Sequence, residues 1–476
     1  MTGLSADSRS LASGEAFVAY PGTRRDGRDF IPKAIARGAP AVLWERQGFR
    51  WNADWRVPNL PVDDLRGLAG HLAHEIYGRP SEKLWTMGVT GTNGKTSCTH
   101  WLAQACSASG ARTAVVGTLG TGFPGALEAG VNTTPDTILL HRSLARLLAE
   151  GAQGVAIEVT SIGLDQGRVN GVAFGAALFT NLSRDHLDYH GDMEAYARAK
   201  ERLFETHGLK HAVLNLDDVR GAHLARALAG RVNRAGYSCV AGVAASAGLE
   251  RYVEAHAVEV SPSGIAFDLK SSWGEARVES RLLGRFNVSN LLGVVATMLV
   301  SGVPFERAAA ALKELKPVAG RMQRLGGDGK PLVVVDYAHT PDALEKTLIA
   351  LKDVARASRG RVVAVFGCGG DRDRGKRQLM GAVASRHADA IVITSDNPRS
   401  EEPAAIIAEI RAGVSVAHEV IEDRREAIAH AIAQARAPDI VLLAGKGHEA
   451  YQEVAGRRLP FSDVVEAERA LAGWSR

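Results

Sequence analysis

The chain has 476 residues, too many for one hydrophobic core, and length alone suggests about two to four domains. Hydrophobic residues make up 46%, enough to bury sizeable cores, and 57 basic against 53 acidic side chains leave a net charge of +4 with no long run of either sign. Nothing in that balance calls for nucleic acid or a membrane surface. The four cysteines, at 98, 106, 239 and 368, form neither a Cys-x-x-Cys pair nor a metal spacing with histidine, and read as thiols in a reducing compartment. Residues 1–9 carry no basic-then-apolar signal segment, and the longest apolar helical stretch, about 287–303, contains Ser289 and Asn290 and is too short to span a bilayer. A soluble cytoplasmic protein is expected.

Residues 1–81 read as a small α/β unit, with a strand over 16–20, a helix over 29–38 and a strand over 41–44. The loop Pro21-Gly-Thr-Arg-Arg-Asp-Gly-Arg28 carries three arginines and is either a solvated turn or a receiver of an acidic ligand. Tyr77-Gly-Arg-Pro-Ser81 reads as a linker.

Residues 82–317 alternate strands and helices, which argues a doubly wound parallel sheet covered on both faces. Strands are expected over 112–118, 154–160, 174–182 and 211–216, helices over 96–109, 135–150 and 192–205, and a meandering β insertion over 240–285. The stretch Lys83-Leu-Trp-Thr-Met-Gly-Val-Thr-Gly-Thr-Asn-Gly-Lys-Thr96 runs strand, glycine loop, helix. Glycines let backbone N–H groups turn toward a phosphate, and the helix start adds partial positive charge. Lys95 would reach terminal phosphates and the Thr96 hydroxyl a magnesium ion. The strict phosphate-loop pattern has glycine where Val89 stands, and the plain alternative is an ordinary strand-to-helix turn. Glu158 closes an apolar strand, where a lone buried carboxylate is costly. Either a magnesium ion near the phosphates or a structural salt bridge accounts for it.

From Val318 to the end at 476 the alternation resumes as a second doubly wound domain. Its strand ends carry His339, Arg372, Asp396-Asn-Pro-Arg399 and Lys446-Gly-His-Glu449, four clusters expected to form one site.

Taken in order, Gly91-Thr-Asn-Gly-Lys-Thr96, Asn132-Thr-Thr-Pro, Glu158-Val-Thr-Ser, Asn181-Leu-Ser-Arg-Asp-His-Leu-Asp-Tyr-His190, Gly284-Arg-Phe-Asn-Val-Ser-Asn290, Asp336-Tyr-Ala-His-Thr-Pro341, Gly367-Cys-Gly-Gly-Asp-Arg-Asp373 and Asp396-Asn-Pro-Arg399 resemble the motifs of the Mur ligases over nearly the whole chain. The branch they resemble adds meso-diaminopimelate to UDP-N-acetylmuramoyl-L-alanyl-D-glutamate. That resemblance implies three α/β domains: an N-terminal UDP-substrate domain (1–81), a central ATP-binding domain (82–317) and a C-terminal Rossmann-like amino-acid domain (318–476). It implies an ATP- and magnesium-dependent ligase working through an acyl phosphate, small-molecule substrates only, and a monomer.

Residue roles follow from the same resemblance. Lys95, Glu158, Lys200 and His186 fall at catalytic positions, with Lys200 as a carbamylated metal ligand beside Thr96 and Glu158; without the family Lys200 would read as a solvated helix lysine. Thr90, Gly91, Thr92, Asn93, Gly94, Lys95, Thr96, Asn290, Arg321 and His339 correspond to ATP contacts. Ser8, Thr23, Arg24 and Arg25 correspond to the uridine diphosphate contacts, and Asn132, Thr133, Thr134, Thr160, Gln166 and Arg168 to those of the muramoyl dipeptide. Arg372, Asp396, Asn397, Pro398, Arg399, Gly445 and Glu449 correspond to the diaminopimelate contacts, the two guanidiniums suiting its distal carboxylate. Ile162 stands where many relatives have histidine, and Ala6 where many have a larger apolar residue. A folylpolyglutamate-type ligase would share the chemistry but gives no reason for Asp396–Arg399 or the N-terminal unit. A P-loop switch or motor would not need acceptor-binding arginines on a third domain.

Overall fold

A computed structural model describes residues 2–23, 25–261 and 263–475. The N-terminal domain is a four-stranded parallel sheet of β1 (Gly3–Ser5), β2 (Glu15–Ala19), β3 (Val42–Glu45) and β4 (Asn59–Val62), in that order. Successive β2 side chains point to opposite faces. Ala16 and Val18 pack with Leu65, Ala69 and Ala73 of the Leu65–Ile76 helix, whereas Phe17 and Ala19 pack with Ile31 and Ala34. The helix expected over 29–38 begins instead as a 3-10 turn, Gly27–Phe30, because the Asp26 side chain caps it, and is α-helical only over Ile31–Ala36.

The expected linker at 77–81 is not a free spacer. The Tyr77 hydroxyl bonds both the N–H and the carbonyl of Leu4 (3.2 and 3.1 Å), Ser81 Oγ accepts from the Ala173 N–H at 3.0 Å, and Pro80–Lys83 forms a helical turn. The Tyr77 and Ser81 hydroxyls, partly or wholly buried, are both partnered. Arg142–Glu15 (2.9 Å) and Asn170 Nδ2 to the Gly67 carbonyl (3.0 Å) add further ties to the central domain.

The central domain holds β5 (Trp85–Thr90), β6 (Thr113–Gly117), β7 (Gly120–Phe123), β8 (Ala126–Glu128), β9 (Gly154–Glu158), β10 (Ala176–Phe179), β11 (His211–Asn215), β12 (Asn233–Ser238), β13 (Arg251–Ser261), β14 (Gly264–Ser271) and β15 (Gly274–Ser280). They form one eleven-stranded sheet, β15-β14-β13-β12-β11-β10-β5-β9-β6-β7-β8. The strands from β13 to β6 are parallel, and both edges are antiparallel. The segment expected as an insertion thus extends the main sheet, since β13 pairs with β12 in parallel before the meander begins. Inner strands are apolar on both faces, as a covered parallel sheet requires. Met87, Val89 and Leu178 meet Trp101 and the Phe286–Val300 helix, while Ile157, Ala177 and Phe179 share the opposite core with Leu140 and Leu144 of the Thr137–Ala149 helix. The helix expected over 192–205 is α-helical over Met193–Glu201 and tightens to a 3-10 turn at Arg202–Glu205.

The C-terminal domain contains β16 (Gln323–Gly326), β17 (Leu332–Asp336), β18 (Val362–Phe366), β19 (Ala390–Ile393), β20 (Glu419–Val420) and β21 (Ile440–Ala444) in the order β16-β17-β21-β18-β19-β20, followed by the hairpin β22 (Tyr451–Val454) and β23 (Arg457–Pro460). Only β16 runs antiparallel in that six-stranded sheet. The molecule is a three-domain α/β structure, and no helix among the described residues is long and apolar enough to cross a membrane.

Candidate active site

β5 ends at Thr90 and the Lys95–Ala108 helix begins at Lys95, so the chain turns within Gly91–Gly94. Gly91 and Gly94 have φ of +147° and +88°. A Cβ on Gly91 would lie 1.9 Å from Thr180 Oγ1, and one on Gly94 2.5 Å from Asn290 Oδ1, so neither position tolerates a side chain. Hydrogen bonds hold the loop from below: the Thr92 N–H donates to the Asn181 carbonyl (2.8 Å), the Asn93 N–H to Asn181 Oδ1 (3.0 Å), and Thr180 Oγ1 to the Asn93 carbonyl (2.6 Å). Such a loop at a helix N-terminus suits phosphate. Thr90 is wholly buried behind it, and its hydroxyl has no partner among the described residues.

A cavity of about 460 Å³ opens over the loop. Thr92 to Thr96, Glu158 and His186 line one side, Asn290 another, and Arg321 and His339 of the C-terminal domain the third. Glu158 is fully buried yet has no ion-pair partner among the described residues, which removes the structural salt bridge as its explanation. Its carboxylate accepts from Thr96 Oγ1 (2.9 Å), the Thr118 N–H (2.8 Å) and Thr118 Oγ1 (3.1 Å). One carboxylate and one hydroxyl beside a phosphate loop fit a magnesium ion that takes its other ligands from phosphate and water. Among the described residues there is no group of three or more His, Cys, Asp or Glu able to hold a metal.

Lys95 Nζ donates to the Gly91 and Thr92 carbonyls at 2.8 and 2.7 Å. Lys200 Nζ donates to the same Gly91 carbonyl at 2.8 Å, and Lys200 is 1% exposed, so it is not a solvated helix lysine. Burial, then the nearby Lys95 charge, holds its amine well below the usual lysine range. It sits behind the loop, 4.4 Å over the Tyr196 ring, and not in the cavity wall. His186 lines the cavity half-exposed, with φ +52° and Nε2 3.5 Å from Asp185; its pKa is lowered by partial burial, against the pull of Asp185.

The central and C-terminal domains meet at the loop. Arg321 Nη2 donates to Thr96 Oγ1 at 3.1 Å, its guanidinium lying 4.6 Å over Tyr337. Asp342 Oδ2 accepts from Asn93 Nδ2 and Ser183 Oγ, both at 2.9 Å, and from Lys346 Nζ at 3.0 Å. Asp342 follows directly on the Asp336–Pro341 motif and was missed; its position in the first turn of the Pro341–Ser358 helix reads as ordinary helix-start acid. His339 Nδ1 lies 2.8 Å from the Tyr337 carbonyl and therefore carries the hydrogen, and burial pushes this imidazole down to about 4.

The residues expected to contact the dipeptide lie beside Glu158, Asn132 apart. Thr134 Oγ1 donates to the Glu158 carbonyl (2.8 Å) and lies 3.0 Å from Thr160 Oγ1. Arg168 donates to the Thr134 carbonyl (2.8 Å) and twice to Gln166 Oε1 (3.0 and 2.7 Å). Thr133 lines the cavity; Asn132 is exposed and stands apart. In the N-terminal domain Ser8 is buried, Thr23 and Arg25 are exposed, and Arg24 lies outside the described residues. Arg28, the loop's third arginine, is structural: it pairs with Asp26 (2.6 Å) and donates to the Glu45 and Gln47 carbonyls. Ser161, beside Ile162, bonds His190 Nε2 at 3.0 Å.

The strand-end clusters of the last domain do not all converge. His339 belongs to the cavity, because β17 emerges beside Arg321, whereas the other clusters form a separate knot. Lys446, wholly buried, contacts Asn397 Oδ1 (3.0 Å) and Glu449 Oε2 (3.1 Å), and Asn397 Nδ2 donates to Glu449 at 2.7 Å. Lys446 opens the Lys446–Glu449 run, one of the strand-end clusters expected in the site. Gly445, φ +114°, brings its backbone against Asp396, whose carboxylate a Cβ would meet at 2.6 Å. Pro398 is buried and positions Arg399, φ +54°, which donates to the Gly370 carbonyl (2.7 Å) and stands 3.4 Å from Glu453. Arg372 is exposed with a single 3.4 Å bond to the Asp371 carbonyl, and both arginines border Gly369.

The chain matches the Mur ligase family catalytic domain over residues 1–77, the Mur ligase middle domain over 89–298 and the Mur ligase glutamate ligase domain over 320–447. It is 50% identical over 476 residues to the UDP-N-acetylmuramoyl-L-alanyl-D-glutamate--2,6-diaminopimelate ligase of Chromobacterium violaceum, covering 99% of this chain and 94% of that one. The enzyme of the same name from Pseudomonas aeruginosa is 51% identical over 476 residues, at 99% and 95% coverage. A solved structure of a ligase of that name superposes with a TM-score of 0.71 at 38% identity, covering 99% and 95%. The Mycobacterium tuberculosis folylpolyglutamate synthase complexed with ADP and AMPPCP, at 18% identity and TM-score 0.63 over 80% of this chain and 92% of that one, shares the fold alone. With three family domains matched in order and about half its residues identical to relatives along nearly its whole length, this chain belongs to the Mur ligase family.

Proposed function

We propose that this enzyme joins meso-diaminopimelate to the D-glutamyl carboxylate of UDP-N-acetylmuramoyl-L-alanyl-D-glutamate, converting ATP to ADP and phosphate, in the cytoplasmic stage of peptidoglycan precursor synthesis. The observation that carries this reading is the pairing of two sites: a phosphate loop with a buried carboxylate on the central domain, and an arginine-bearing knot around Lys446 on the C-terminal domain.

ATP binds with its terminal phosphates on Gly91–Thr96, where Lys95 and the helix N-terminus offset their charge. Arg168 and the Thr134–Thr160 pair orient the dipeptide so that a carboxylate oxygen attacks the γ-phosphorus, releasing ADP and leaving an acyl phosphate. The diaminopimelate amine then attacks the acyl carbon, loses a proton and expels phosphate. Phosphate leaves far more readily than carboxylate oxygen, so one difficult step becomes two feasible ones. Magnesium held by Thr96 and Glu158 would neutralise phosphate charge during transfer.

Lys200, whose amine lies behind the loop on the Gly91 carbonyl and outside the cavity wall, would hold a second metal only when carbamylated. An ammonium repels a cation, but a buried amine with a depressed pKa is the neutral nucleophile that carbon dioxide needs, and its carbamate is an anion. His186, its pKa lowered by burial, lines the same cavity as Lys95 and Glu158.

Phosphate release from ATP, measured with the UDP-dipeptide and a panel of amino acids, tests this reading. Release should require both the UDP-dipeptide and meso-diaminopimelate; equal release without an amino acid would instead mark a nucleotide-hydrolysing switch.

A further inference from the structure

A second concavity, of about 950 Å³, lies at the amino ends of β11, β12 and β13. The glycine loop follows the carboxyl end of β5 in the same parallel run, so the strands themselves, about 16 Å long, separate the two. No residue lines both. The groove is lined by Lys210, Arg231, Arg234 and Arg251, with Glu250 its one carboxylate among the described residues.

None of those four cations has a carboxylate within ion-pair distance among the described residues, whereas Arg146, Arg220, Arg277 and Arg374 elsewhere on the surface do. Two are propped on aromatic faces: Lys210 Nζ lies 5.4 Å over Trp85 and the Arg251 guanidinium 5.1 Å over Trp273. An aromatic face fixes a cation without cancelling its charge. Arg234 is anchored by the Ala225 carbonyl. The Phe286–Val300 helix also ends at this groove, but its last carbonyls are already taken by the N–H groups of Ser301, Gly302 and Val303, so the helix end does not consume the cations. His211 beside Lys210 has its pKa lowered by burial and then by that lysine, as expected where positive charge is concentrated.

We propose that this groove is a second anion site, which takes a small molecule carrying two or more linked phosphates. Its volume is that of a small-ligand pocket. Forked guanidiniums on neighbouring strands suit adjacent phosphates, each gripped by two N–H groups. A bilayer surface cannot enter such a concavity.

The test is calorimetric titration of inorganic tripolyphosphate into enzyme whose catalytic cavity is saturated with ADP and magnesium. One further saturable site per chain is expected. Arg231→Ala/Arg251→Ala should weaken it at least about tenfold, and Arg231→Lys/Arg251→Lys should weaken it less than the alanine pair, since charge is kept but the fork is lost. Unchanged ligase turnover in both variants shows that they are folded. Competition by UDP would assign the site to the diphosphate of a nucleotide; its failure to compete would assign it to free polyphosphate. Absence of binding beyond ADP, or equal binding by the alanine variant, overturns the proposal.

Discussion

Lys95 and Lys200 donate to one and the same acceptor, the carbonyl oxygen of Gly91, each at 2.8 Å. Two amines around a single oxygen, one of them wholly buried, cannot both keep their protons cheaply, and burial followed by the Lys95 charge holds Lys200 well below the usual lysine range. Lys95→Ala should abolish ligation in a folded protein. Lys200→Ala should be nearly inactive and partly rescued by short carboxylates, which supply the missing anion. Carbon-13 NMR with labelled bicarbonate should show a carbamate in the wild type that Lys200→Ala lacks; a fully active Lys200→Ala enzyme would remove the lysine from the mechanism.

Arg399 presents its guanidinium beside Gly369 and Arg372, held by the Gly370 carbonyl and a long contact to Glu453. Losing a charged contact to the distal carboxylate of diaminopimelate should cost about 2–5 kcal/mol. Arg399→Ala should therefore lower kcat/KM for meso-diaminopimelate at least about tenfold, one decade per 1.4 kcal/mol, with far less effect on the KM for ATP. If lysine and diaminopimelate are discriminated equally well by the variant, this loop does not read the distal carboxylate.

Asp342 ties the C-terminal domain to the phosphate loop through Asn93 and Ser183. Hydrogen bonds to a charged group contribute about 1.5–3 kcal/mol each. Asp342→Ala should loosen this junction and lower kcat/KM for ATP by about tenfold or more. Small-angle scattering should show compaction with an ATP analogue plus UDP-dipeptide in the wild type and less in the variant; identical compaction in both would show that the latch is not needed for closure.

His141 is fully buried, with Nε2 2.9 Å from the Asn170 carbonyl and Nδ1 unpartnered among the described residues, and burial pushes it down to about 4. An unfolded imidazole titrates near 6.5. Between these values the unfolded chain binds a proton that the folded chain does not, so stability is full above about pH 6.5 and falls as pH drops toward 4. The slope is up to about 1.4 kcal/mol per pH unit for this group. Urea midpoints measured from pH 7 to 4.5 should fall less steeply for His141→Gln than for wild type. Parallel curves would mean that the His141 imidazole titrates alike in the folded and unfolded chain.

The phosphate loop was legible because strand, glycines and helix each leave a separate mark, and Gly91 and Gly94 are required by contacts with Thr180 and Asn290 that only glycine allows. The strand cores of all three domains were legible for the same reason: apolar runs breaking into charge. The ties at Tyr77 and Ser81 were not, because a Pro/Gly-containing polar stretch looks the same whether its hydroxyls face water or distant backbone. Period alone also could not show that β13 pairs with β12 and extends the central sheet. Asp342 escaped as a site residue because its partner, Asn93, lies far away in sequence. Lys200 carried no local signal of burial, having only the family resemblance to mark it.

The most direct test of the ligase account follows oxygen. UDP-N-acetylmuramoyl-L-alanyl-D-glutamate labelled with oxygen-18 in the D-glutamyl γ-carboxylate is turned over with ATP and meso-diaminopimelate, and the phosphate released is read by its isotope-shifted phosphorus-31 signal. Carboxylate activation requires one labelled oxygen in each phosphate formed and an amide product that has lost it. Unlabelled phosphate accompanying tripeptide formation would contradict the acyl-phosphate route, and phosphate formed with no tripeptide would contradict the ligase assignment itself.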